Sequence, residues 1–129
     1  MKKWLMASAL PLFAAGTSMA DDAKIGVIMG YTGPIESLTP AMSDAAELAM
    51  IEVNDSGKFL EGVTLVSVRA DSTCVDSAAA TAAAERLVTT DGIVAIMGAD
   101  CSGVTGAVLS NVAVPNGVPM VSPSATSPA

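Results

Sequence analysis

An α/β fold, a three-layer doubly wound parallel sheet, is the class this sequence predicts. Three observations predict it. Four short apolar runs alternate with segments of helical period. Turn residues such as Gly, Pro, Asn and Asp bound most of those runs. Every connection is long enough for a right-handed helical crossover, and such crossovers make the joined strands parallel.

The first strand is predicted at "KIGVIMG", residues 24–30, a short apolar run between turn residues. The first helix follows in "TPAMSDAAELAMIEVNDSG". Thr39 is placed to cap it, Pro40 suits its first turn, and Asn54 to Gly57 form the stop. Ala41, Ala45, Leu48 and Ile51 or Glu52 set its apolar period, widened by Ala46, Ala49 and Met50. The β-branched, alternating "VTLVSVRA" at 63–70 is the second strand. "DSAAATAAAERLVTT" is the second helix, started by Asp76 or Ser77, and its alanines suit close packing on a sheet. Residues 92–99 are the third strand. Residues 102–112 are the third helix, weakened by Gly103 and Gly106. The fourth strand is 118–122.

A separate segment precedes all of this. "MKKWLMASALPLFAAGTSMA" has two lysines, an apolar stretch too short to span a bilayer, and a small-residue close at Ser18-Met19-Ala20. That is the layout of a secretory signal peptide, residues 1–20, with cleavage expected after Ala20 and an exported product, as in a periplasm. No cysteine follows the cleavage point, so no lipid anchor is expected there. Without Lys2 and Lys3, four basic residues face thirteen acidic ones, a formal charge of −9 (4 − 13). Such a surface repels phosphate backbones, so no nucleic acid partner is expected. The chain is 51% hydrophobic and 15% charged, which places it among globular rather than disordered sequences.

With no histidine and two cysteines, neither a metal site nor a cofactor is expected. In an exported chain the even pair Cys74 and Cys101 favours a disulfide over two buried thiols. It would close a 28-residue loop (101 − 74 + 1), worth roughly 3–4 kcal/mol in the chain-entropy model.

Ligands of open parallel sheets sit outside the carboxyl ends of the strands. Three loops there are rich in small and hydroxyl residues: 31–34, 99–103 and 122–127. Each is expected to lead into a helix start, whose unpaired N–H groups attract a carboxylate without a cation. Ordinary capping by Ser and Thr explains the same pattern equally well. The cysteines would brace two loops at this end of the sheet and so favour a site.

The segments "KIGVIMGYTGP", "IMGADCSGVTGAV" and "GVPMVSPSATSPA", with the cysteine pair, resemble the periplasmic substrate-binding proteins of branched-chain amino acid ABC transporters. These are the leucine/isoleucine/valine-binding group of type I binding proteins. The resemblance implies that residues 21–129 are the first part of lobe 1, with the second lobe absent. It implies a ligand-binding rather than an enzymatic role, with a small amino acid as ligand and a membrane permease as partner. Ser102 matches a serine that holds the ligand carboxylate. Ser124, Ala125 and Thr126 match a turn that holds the α-carboxylate and α-ammonium, and Tyr31 lies in a loop that borders the ligand. "DCSGVT" and Ser124 depart from the commoner forms of these loops. Relatives of the group also bind urea or short amides.

Other classes fit less well. A dinucleotide-dependent oxidoreductase would use Asp71 to hold a ribose. The glycines after the first strand are spaced G-x-x-x-G-x-x-G, and Asp71 lies 41 positions beyond Gly30, where about 20 is expected. A serine hydrolase lacks its G-x-S-x-G and its histidine, and Asp100 beside Ser102 reads as loop solvation or capping. A ligand-sensing receptor domain would share the fold, but would need a membrane span or an effector module.

Overall fold

The computed structural model describes residues 21–128. The expected signal peptide and its cleavage point lie outside the described residues. Four strands form one parallel sheet: β1 (Asp21–Met29), β2 (Val63–Asp71), β3 (Ala95–Gly98) and β4 (Met120–Val121). Their spatial order is β2-β1-β3-β4, so the winding direction reverses between β1 and β3. Ile25 pairs with Ser67 on one side and Ala95 on the other, and Ile96 pairs with Met120. The expected α/β class is what the chain adopts.

Central β1 is apolar on both faces because both faces are covered. Val27, Ile28 and Met29 are fully buried. Helix α1 (Thr39–Asp55) packs on β1 and β2. Helices α2 (Ser77–Arg86) and α3 (Ser102–Val108) pack on each other across the opposite face. Alternation along β2 sorts the faces: Ser67 and Arg69 bond to α1, while Val68 and Ala70 join the core under α2 and α3. That core contains Ile28, Leu87, Ile96, Val104, Val108 and Val112. Ala80 and Ala84, four apart, are both fully buried, so the alanine run does let α2 lie close to the sheet.

Two helices run past their expected style of ending. α2 continues into a π-helical turn at Leu87–Asp91, and Gly92 stops it at φ 70°. α3 continues through a second such turn at Leu109–Ala113 and then α4 (Val114–Asn116), with Gly117 at φ 65° as the stop. The last strand is shorter than the expected 118–122, and the third is shorter than the expected 92–99.

The expected apolar period of α1 is corrected by the structure. Leu48 and Ile51 are more than half exposed, and Ala41 is exposed. The inward residues are Thr39 and Ser43, with Ala46, Glu47 and Met50 partly covered. Alanines on several faces leave the rotation of α1 weakly specified by hydrophobicity. Polar contacts decide it: Ser43 meets the Tyr31 hydroxyl, Glu47 meets Ser67 and Arg69, and Asn54 pairs with both backbone groups of Leu65. Thr39 is no cap either. It lies inside the first turn, and its hydroxyl donates to the carbonyl of Gly30 at 3.0 Å. The cap of α2 is Asp76, which accepts from the N–H groups of Ala78 and Ala79.

Candidate functional site

The carboxyl ends of all four strands gather at one edge of the sheet, where two aspartates organise the loops. Asp71 ends β2. Its carboxylate accepts the N–H of Tyr31 at 3.0 Å, the N–H of Thr73 at 2.8 Å and the hydroxyl of Thr32 at 2.6 Å. Burial opposes its ionisation, but these hydrogen bonds together outweigh that and hold the carboxyl below the usual carboxylate range. Asp71 therefore pins the loop after β1; it holds that loop rather than a ribose.

Asp100, expected to be solvated in its loop or to cap a helix, is buried instead, and the cap of α3 is Cys101. One carboxylate oxygen accepts the N–H of Gly30 at 2.8 Å. The other accepts the Ser72 hydroxyl at 3.2 Å and the N–H of Cys101 at 2.9 Å. Its main-chain carbonyl accepts the Ser124 hydroxyl at 2.7 Å. A single residue thus touches the loops at the ends of β1, β2, β3 and β4. Side-chain bonds between residues 28 and 70 positions apart leave no local signature, which is why sequence reasoning missed this role.

Cys74 and Cys101 are joined in a disulfide with Cα atoms 5.2 Å apart, as expected. The bridge ties the loop after β2 to the start of α3. Thr73 and Cys74 both have positive φ, a left-handed conformation costly for residues with a Cβ. Asp71 on the N–H of Thr73 and the N–H of Ser72 on the Met29 carbonyl hold that loop in place.

The turn after β4 is built by serines. Ser122 donates its hydroxyl to the Ala99 carbonyl and accepts the N–H of Ala125 at 2.9 Å. Ser102, the first residue of α3, accepts the N–H groups of Thr126 at 3.1 Å and Ser127 at 3.2 Å. Its helix is capped by Cys101 without a side-chain bond, so the Ser102 hydroxyl is not spent on capping. With two N–H groups filling its acceptor positions, its one proton remains to donate.

Of the five expected site residues, Ser102, Ser124, Ala125 and Thr126 come together. Ser102 and Ala125 line a 360 Å³ cavity between α3 and the turn, floored by Leu109 and Met120. Ser124 turns its hydroxyl inward to Asp100, and Thr126 is exposed. Tyr31 lies outside that lining, at the end of β1. Its hydroxyl meets Ser43 Oγ at 2.6 Å, and the Arg69 guanidinium lies 5.8 Å from its ring centroid. Burial raises the Tyr31 pKa against the opposing Ser43 bond and Arg69 charge, so the phenol stays neutral. Arg69 itself is held by Glu47 and Asp44. Its hydrogen bond is the main reason that the Glu47 carboxyl is depressed. Ser43 and Arg69 adjoin Tyr31, a neighbourhood that only the packing of α1 on β2 reveals. Among the described residues no group of His, Cys, Asp or Glu could hold a metal ion.

Four parallel strands with a reversal between β1 and β3, and hydroxyl loops at their carboxyl ends, define a doubly wound α/β domain. The chain belongs to the periplasmic binding protein family, whose sequence model matches residues 22–129. It is 32% identical over 126 residues to the Leu/Ile/Val/Thr-binding protein of Salmonella typhimurium, covering 98% of this chain and 33% of that protein. It thus spans about a third of the length of the curated relatives it matches. It is similar to the branched-chain amino acid transporter substrate binding protein LivJ from Streptococcus pneumoniae, solved in complex with isoleucine. That match has a TM-score of 0.74 and 33% identity, over 83% of this chain and 30% of the other. A solute binding protein from R. palustris, solved in complex with benzoate, matches with a TM-score of 0.67 and 26% identity, over 81% and 28%.

Proposed function

We propose that residues 21–129 form the front part of the first lobe of an exported solute-binding protein that delivers a small amino acid, of branched-chain type, to an ABC importer. The observation that carries this reading is the Ser102 hydroxyl. It sits at the rim of the strand-end loops with its acceptor positions filled and its proton available to a carboxylate. The disulfide and the two aspartates hold that rim before any ligand arrives, which lowers the ordering cost of binding. Thr126 is the expected partner of the ligand at the adjacent turn, and Tyr31 borders it. The role is binding rather than catalysis, and the partner is the membrane permease of the importer. Residues 1–20 direct export to the periplasm and are removed after Ala20.

A second reading has the benzoate-binding relative behind it: a carboxylate ligand without an ammonium group. Calorimetric titration of the full-length protein with L-leucine, urea and benzoate separates these readings. A micromolar isotherm for leucine alone is the expected result. Saturation by benzoate or urea with no heat from leucine would overturn the proposal.

A further inference from the structure

Asp100 buries its carboxylate beneath the strand-end loops, outside the lining of the cavity. It is 3% exposed. Every hydrogen bond to its two oxygens comes from a donor: Gly30 N–H, Ser72 Oγ–H and Cys101 N–H. That is the pattern of an ionised carboxylate, which is acceptor-only. Among the described residues no cation bonds to it. Of the four cations among the described residues, Lys24 bonds to the Asp91 carbonyl and Arg86 to the Asp91 carboxylate, at the amino end of β3. Lys58 lies between α1 and β2, also at the amino end of the sheet. Arg69 stands at the carboxyl edge but is engaged by Asp44 and Glu47. Asp71 adds a second anion to the same edge. The rim hydroxyls and N–H groups can hold a carboxylate locally, while the side-chain charge buried beneath them is negative.

A ligand that is a bare anion meets that field as a net charge. A zwitterion is neutral overall and meets it only as a dipole, whose interaction falls faster with distance. We infer that Asp100 is a specificity-determining residue, whose buried charge favours ligands carrying both a carboxylate and an ammonium over carboxylates that lack the ammonium. The inference deepens the amino acid reading above and rests on it. Asp100 acts at a distance on the ligand and by hydrogen bonds on the loops, so its test must separate charge from geometry.

The probes are L-leucine and 4-methylpentanoate, which is leucine without its ammonium group, titrated into the full-length protein. Asp100→Asn removes the charge and should reduce the preference for leucine over 4-methylpentanoate by about tenfold, mainly by tightening the bare carboxylate. Asp100→Ser is a second neutral variant, smaller and open to a replacing water, for use if the amide fits badly against Gly30 N–H. Ser72→Ala removes one hydrogen bond at constant charge and should leave the preference unchanged. An unaltered preference in a cooperatively folded neutral variant overturns the inference. So does a Ser72→Ala shift as large as that of Asp100→Asn. Leucine binding with an unmoved preference defeats this inference alone, whereas a wild-type protein that takes neither probe defeats the amino acid reading as well.

Discussion

Ser102 concentrates the chemistry of the rim in one hydroxyl. In the full-length protein Ser102→Ala leaves the N–H groups of Thr126 and Ser127 without their partner and removes the donor to the ligand. It should weaken leucine binding by about 1–3 kcal/mol, read by calorimetry, and an unchanged affinity would place the site elsewhere. Asp71 supports a prediction in pH. Its folded pKa is depressed, so its contribution is complete above the unfolded value near pH 4 and is lost as pH falls toward the folded value. The difference in thermal midpoint between the wild type and Asp71→Asn should be constant near neutrality and shrink below about pH 4. A difference that grew on acidification would contradict this origin.

At the scale of elements, the sheet edge depends on two close junctions. Gly98 ends β3 at φ 129°, and a Cβ there would collide with the Ile28 carbonyl oxygen. Gly98→Ala must therefore push β3 from β1 and should cost at least about 3 kcal/mol in urea unfolding. Loss of fold in that variant, with Gly103→Ala tolerated, is the expected contrast, because nothing lies within 4 Å of a Cβ at Gly103. The disulfide is the other junction. Replacing Cys74 and Cys101 together by serine should cost roughly 3–4 kcal/mol, because the unfolded chain regains the freedom of the closed loop. A midpoint within error of the wild type would mean that Asp71 and Asp100 alone hold the loops.

At the scale of the whole molecule, the proposed reading makes residues 21–128 one wall of a binding cleft. Thr126 and Ser127 are exposed, and β4 is a two-residue strand at the sheet edge with Val121 open to solvent. Small ligands need most of their surface covered for tight binding. A polypeptide of residues 21–129 on its own should bind leucine no more tightly than roughly millimolar, about −4 kcal/mol. Its open edge should favour association. Calorimetry with light scattering checks both, and a micromolar isotherm from a monodisperse monomer would show that one wall suffices.

Sequence by itself determined the order of strands and helices, the parallel sheet, the pairing of Cys74 with Cys101 and the three hydroxyl loops at one edge. These are local signals: apolar runs, turn residues and crossover lengths repeat within a window of the chain. The rotation of α1 was not legible, because alanines on several faces make the hydrophobic choice nearly neutral and Ser43, Glu47 and Asn54 settle it through contacts with distant residues. The role of Asp100 was hidden for the same reason. Its partners Gly30, Ser72 and Ser124 come from three other loops, and only folding brings their donors to one carboxylate and one carbonyl. Hydrophobic periodicity lays out the elements; buried polar groups, each needing a partner, decide how they are turned and joined.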